Sequence, residues 1–105
     1  MIAGDFNFRS LGERAAGESL CTTAKEREAL RWLSAAGLVS CWSAVHPHTP
    51  LAQTLQWSKD KTVPYHCDGI LVPPSWTHRA RCEVLSSAVA EHSSDHFPVI
   101  AWTSV

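Results

Sequence analysis

Apolar positions along the chain come in short runs, broken by Pro, Gly and Ser, and only one stretch repeats with a helical period. Met1 to Gly4 is short and apolar and reads as the end of a strand. Residues 8–23 mix charge with Gly and Ser and read as a loop. Thr23, followed three positions later by Glu26, has the form of a capping box. The helix it opens is predicted to run to about Ala36, with Ala29, Leu30, Trp32, Leu33 and Leu38 on its apolar face. Gly37 suits the residue just past its end. Leu38 to Val45 then reads as a strand, ended by Pro47 and Pro50. Thr54 to Trp57 alternates as a short strand, and Ser58 to Pro64 is a polar turn. His66 to Val72 is the strongest strand signal. Two prolines make residues 73–76 a turn. Arg79 to Ser86 alternates charged and apolar residues, as a strand with one wet face does. Phe97 to Thr103 is the last strand. One helix and about six strands make a sheet-dominant α+β arrangement.

This pattern fits a length of 105 residues, which is one domain at most. The five Trp supply large buried areas to a small core. A net charge of −1 gives no strong field for drawing in nucleic acid or an anionic membrane, which weighs against a dedicated high-affinity DNA binder. It leaves room for an enzyme that touches a phosphodiester locally. No apolar stretch is long enough for a membrane span. No basic-then-apolar leader is visible, so the chain reads as cytoplasmic. Met1 one residue before a strand suits either an intact short gene or a chain cut upstream. Cys21, Cys41, Cys67 and Cys82 contain no Cys-x-x-Cys pair, which argues for free thiols and against a zinc ribbon.

Three polar groups border apolar runs. Asp5 follows a strand end, and Gly4 before it lets the backbone bend and approach a ligand. Asp5 and Asn7, two residues apart, point to the same side of an extended backbone. A carboxylate beside an amide suits water activation with phosphate orientation, although both residues also form ordinary turns. Asp95-His96 joins a hard oxygen ligand to an imidazole able to donate to a phosphate oxygen. Ser94 beside them is placed to bond the local backbone. Asp68 lies in an apolar strand and needs a partner: either His96, or Arg79 or Arg81 on a neighbouring strand. His66, on the same strand, reads as structural or rim-lining, and His46 and His48 as loop residues.

Taken together, Ile2-Ala3-Gly4-Asp5-Phe6-Asn7, Gly37-Leu38-Val39, Thr54-Leu55-Gln56-Trp57, Tyr65-His66-Cys67-Asp68 and Ser94-Asp95-His96-Phe97-Pro98 resemble the endonuclease/exonuclease/phosphatase superfamily of Mg²⁺-dependent phosphoesterases. The resemblance implies a catalytic set of Asp5, Asn7, Asp68 and His96. Asp5 would orient and deprotonate the attacking water. Asn7 and His96 would bind the phosphate, Asp68 would orient His96, and Asp95 would sit near a Mg²⁺ or Mn²⁺ ion or the leaving oxygen. It implies a phosphate-ester substrate, nucleic acid or a small phosphodiester, without choosing between them. Two departures stand out. The family fold is a four-layer sandwich more than twice as long, and residues 1–105 match only its carboxyl-terminal half, a single partial domain. The half that carries the main metal-binding Glu has no counterpart here, since Glu13, Glu18, Glu26 and Glu28 lie in a loop or helix. Gly69 also stands where a bulky residue often follows this Asp. The implied protein is a C-terminal fragment of a hydrolase, inactive or weakly active alone. The alternative is a non-catalytic half-domain that pairs with another chain, or with itself, through an exposed sheet face. An apolar patch from Leu55, Ile70, Val72, Val99 and Ala101 is the expectation for that face.

Overall fold

Strand Asp68–Val72 (β3) organises the structure, with antiparallel partners on both of its edges. In this computed structural model, which describes residues 1–6, 8, 24–56, 62–63, 65–86 and 94–104, Ile2–Asp5 (β1) pairs with one edge and Val39–Ser40 (β2) with the other. A second sheet pairs Ala80–Val84 (β4) with Val99–Thr103 (β5), again antiparallel, from Ala80↔Thr103 to Val84↔Val99. The helices are Ala24–Ala35 (α1), Cys41–Val45 (α2) and a 3₁₀ helix, Pro74–Arg79. The result is a mixed α+β domain.

Several local rules act as the sequence predicts. Helix α1 ends on Gly37 at φ +81, a left-handed residue that only Gly adopts cheaply. Its N–H donates to Ser34 O at 2.9 Å and that of Leu38 to Leu33 O at 3.0 Å, the paired bonds of a Schellman cap. Thr23, the predicted cap at the other end, lies outside the described residues. Ala29, Leu30 and Leu33 are half-buried as predicted, but Trp32 is 73% exposed and belongs to the solvent side.

The predicted strand 38–45 is wrong beyond Ser40. Ser40 is a helix N-cap, its Oγ accepting from Ser43 N–H at 3.3 Å, and the chain turns there into α2. The turn places Cys41 and Trp42 in the core, with Leu51, Val72 and Cys82. His46 ends α2, and its Nε2–H donates to Cys82 O at 2.8 Å, fastening α2 to β4. The predicted strand 54–57 reduces to bridges from Leu55 to Tyr65 and His96, with Trp57 outside the described residues. The 73–76 turn is the start of the 3₁₀ helix, whose first residue is a proline that has no N–H to satisfy.

The five residues expected to form an exposed apolar patch are not among the fully exposed ones. Val72 is buried, and Leu55, Ile70, Val99 and Ala101 are half-buried. The exposed large apolar side chains lie elsewhere, at Met1, Ile2, Trp32, Trp76 and Trp102. Among the described residues, no helix is long and apolar enough to cross a membrane.

Candidate functional site

Thr54 is the fully buried residue on which the site is built. Its Oγ1 accepts from Cys67 N–H at 3.0 Å and Asp68 N–H at 3.2 Å, fixing the entry to β3. Its own N–H donates to Tyr65 O at 2.7 Å, and its C=O accepts from Phe97 N–H at 2.7 Å. Gln56 N–H donates to Asp95 O at 2.8 Å. One short segment therefore holds residues 65–68 on one side and 95–97 on the other. Ser94 Oγ accepts from His96 N–H at 3.0 Å and shapes the loop that presents the imidazole.

These anchors bring His96 and Asp68 together. His96 Nδ1–H donates to Asp68 Oδ2 at 2.8 Å and lies 3.1 Å from Oδ1. The arginine alternatives are engaged elsewhere: Arg79 Nε–H donates to His78 Nε2 at 3.0 Å, and Arg81 lies over the Trp102 ring at 5.6 Å. Asp5 stands directly opposite Asp68 in the β1–β3 register. Like charges placed opposite one another repel, and His96 offsets this: its Nε2 is 3.9 Å from Asp5 Oδ2 and 3.9 Å from Asp95 Oδ1. The Asp68 hydrogen bond, with the charges of Asp68, Asp5 and Asp95, raises the His96 pKa above 6.5 against a smaller opposing effect of burial. The ring is held oriented and biased to the cation, with Nε2–H 3.9 Å from each of two carboxylates.

Of the predicted site residues, Asp5, Asp68, Asp95 and His96 thus converge on one imidazole. Asn7 lies outside the described residues. Gly4, at φ +154, holds a backbone conformation that other residues rarely adopt, just before Asp5. Gly4 and Gly69 face each other across the register. Beside the carboxylates is a hollow of about 290 Å³ walled by Ile70, Phe97, Pro98 and Val99. Another hollow, lined by Trp76, His78 and Arg79, opens at the Thr103 end of β5, away from this chemistry.

Two residues of the site carry more than sequence reasoning assigned to them. Thr54 opens the Thr54-Leu55-Gln56-Trp57 string of the resemblance, but the sequence assigned it no role of its own. Cys67 sits 3.4 Å through Sγ from Asp68 Oδ2, with Thr54 Oγ1 3.8 Å from the sulfur. Burial and the neighbouring Asp68 carboxylate push its thiol up to about 12, so it is protonated at neutral pH. His66 is 1% exposed and donates through Nδ1–H to Ala52 O. Burial lowers its pKa, keeping it neutral against the Trp42 ring at 5.6 Å, a structural residue as the sequence suggests.

The fold of this chain is similar to that of an AP endonuclease from Archaeoglobus fulgidus, with a TM-score of 0.76 and 23% sequence identity. The match covers 98% of this chain and 44% of that one, so the chain spans less than half the length of its structural neighbour. At that identity the match shows a shared fold. No protein-family model and no curated protein sequence matches the chain.

Proposed function

We propose that this chain is the carboxyl-terminal portion of a metal-dependent phosphoester hydrolase of the endonuclease/exonuclease/phosphatase superfamily. The observation that carries the reading is the arrangement around His96: Nδ1 bonded to Asp68 at 2.8 Å, Nε2 between Asp5 and Asp95. The fold shared with an AP endonuclease supports it, because acting on nucleic-acid phosphodiesters is one expression of this chemistry. In this reading, Nε2–H of His96 stabilises negative charge on the phosphoryl oxygens, and Asp68 fixes the tautomer and the ring plane. Asp5 takes the proton of the attacking water, and Asn7 hydrogen-bonds the phosphate.

The donors suit a hard cation in part. Asp5 and Asp95 bring carboxylate oxygens to one side of the imidazole, while Asp68 is engaged with the ring. Asp95 would hold Mg²⁺ or Mn²⁺, which supplies charge neutralisation and acidifies bound water. Two aspartates leave most of an octahedral shell to water, so the isolated chain turns over weakly or not at all. Residues 1–105 are then one partial domain whose remaining metal ligands lie in a separate half.

The test is hydrolysis of an aryl phosphodiester, plasmid DNA and an abasic-site duplex with Mg²⁺ or Mn²⁺, using Asp5→Asn and His96→Ala as controls. A parallel titration follows the His96 ring nitrogens by NMR with a non-hydrolysable phosphodiester. Slow metal-dependent turnover lost in both variants, or a His96 shift on phosphodiester binding, supports the proposal. The absence of both turnover and a His96 shift overturns it, and fast turnover by the chain alone overturns the partial-domain assignment.

A second reading rests on β1. This strand is exposed along its whole length and, among the described residues, lies at the edge of its sheet, where another chain could add. A non-catalytic half-domain would pair there with a partner or a second copy. Light scattering that finds a dimer, with no phosphodiester binding, would favour it.

A further inference from the structure

Cys67 has no part in the hydrolase reading, yet it adds a third kind of donor to the Asp68–His96 pair. The Cys67 sulfur, an Asp68 carboxylate oxygen and a His96 ring nitrogen all lie within 4.8 Å of one another. We propose that these three side chains form a binding site for a thiophilic divalent cation of the Zn²⁺ class, separate in chemistry from any Mg²⁺ site at Asp95.

Two of the three donor pairs lie near the spacing such an ion requires, and the third, sulfur to ring nitrogen, lies within 4.8 Å. Zinc–sulfur bonds of about 2.3 Å and zinc–nitrogen or zinc–oxygen bonds of about 2.0 to 2.1 Å put tetrahedral ligand pairs roughly 3.3 to 3.6 Å apart. The sulfur-to-Oδ2 distance is already 3.4 Å. The Nδ1-to-Oδ2 distance, 2.8 Å, must open by about half an ångström. The His96 side chain is 33% exposed, so solvent can provide the fourth ligand. Nε2, on the other side of the ring, faces Asp5 and Asp95 at 3.9 Å each. A carboxylate behind the distal ring nitrogen is the usual support for a metal-bound histidine. The backbone carries its share: Thr54 Oγ1 pins the N–H groups of both Cys67 and Asp68, so two of the three donors are positioned before an ion arrives. A sulfur ligand selects Zn²⁺, Cd²⁺ or Co²⁺ over Mg²⁺.

Binding involves no oxidation or reduction. Cys67 Sγ and His96 Nδ1 each form a bond to the ion and release their protons to solvent, while the carboxylate of Asp68 turns from the ring to the metal. His96 keeps its Nε2 proton. The site stands independently of the hydrolase reading. Only its consequence rests on that reading: an ion here breaks the Asp68–His96 hydrogen bond, so zinc would oppose Mg²⁺-supported turnover.

The experiment is a titration of the full chain with Co²⁺, without substrate. The wild type is expected to develop a sulfur-to-cobalt charge-transfer band and the visible bands of a tetrahedral site, saturating at one equivalent and displaced by Zn²⁺. Loss of one ligand exceeds the roughly 10- to 100-fold cost of losing an outer-shell partner, so Cys67→Ser and His96→Ala should each bind at least about 100-fold more weakly. Cys21→Ser should leave the bands intact. A wild-type readout guards against variants that fail to fold: Zn²⁺ should shift the His96 Nδ1 resonance to that of a metal-bound, deprotonated nitrogen. Bands that persist in Cys67→Ser, or Zn²⁺ saturation that leaves His96 Nδ1 protonated, overturn the proposal. Because none of these measurements uses turnover, they stand or fall separately from the hydrolase assay.

Discussion

Replacing Thr54 by Val tests whether one hydroxyl holds the site together. The two side chains have nearly the same shape, but Val has no acceptor. Thr54 is 0% exposed, so water cannot reach Cys67 N–H and Asp68 N–H in its place. Each buried donor deprived of its acceptor costs about 1 to 3 kcal/mol, so the pair costs about 2 to 6. The added methyl returns under about 1 kcal/mol. The net loss of about 1 to 5 kcal/mol is a large part of the 5 to 15 typical of a whole domain. Thr54→Ser keeps the acceptor and loses one methyl group, about 1 kcal/mol. Urea unfolding followed by Trp fluorescence gives both values from the midpoints, provided the slopes agree. At about 4 to 8 °C per kcal/mol for a domain of this size, the Val variant should also melt at least about 4 °C lower. A Val variant within about 0.5 kcal/mol of wild type, or more stable than the Ser variant, would refute the account.

Three further outcomes follow from other parts of the molecule. His96 has a folded pKa above its unfolded value near 6.5, so its ion pairing stabilises fully below pH 6.5 and is lost as the pH rises through the folded pKa; the difference in urea midpoint between wild type and His96→Ala should therefore shrink from pH 6 to pH 8. Cys67 and Cys82 are both raised from 9.0 to about 12, so the stability they contribute as thiols is complete below pH 9 and drains away between 9 and 12; the melting temperature should fall across that range, and less steeply in Cys67→Ala. Trp32→Ser should change stability by less than about 0.5 kcal/mol, because that ring is in water, whereas Trp42→Ala should cost about 3 to 5 kcal/mol, as read by chemical denaturation.

The sequence showed most where local rules decide the outcome. Gly37 stops α1 because its left-handed conformation is a local preference, and β3, β4 and β5 fall within the predicted apolar runs because burial of one face is written in alternation. Reading failed at Ser40. Apolar residues on both sides of it fit a strand or a helix, and the choice was made by a capping bond and by the place of Trp42 in the core. Trp32 was misplaced for a related reason: hydrophobicity predicts a face, but the neighbours that would cover it are tertiary. In the site, Asp5, Asp68, Asp95 and His96 were legible through the strings that carry the resemblance, and Asp68 also because a carboxylate in an apolar strand needs a partner. The roles of Thr54 and Cys67 were not, although both stand in those strings, because a hydroxyl or thiol among apolar residues is ordinary in sequence and gains meaning only from what folds against it.

The opposition of Asp5 and Asp68 across β1 and β3 also means that the site depends on the pairing of one weak strand. β1 is exposed throughout, has one partner among the described residues, and meets β3 at its middle through Gly4 and Gly69, which bring no side chains to lock the alignment. A shift by a single residue would turn Asp5 to the opposite face. Fraying of this edge disassembles the site while the Trp42 core stays folded, because local opening needs far less free energy than global unfolding. Any ligand that requires both carboxylates binds only the docked population, and its apparent affinity falls in proportion to that fraction. Whatever clamps β1, whether a neighbouring sheet or an engineered covalent tie, raises affinity at the site without touching the ligand.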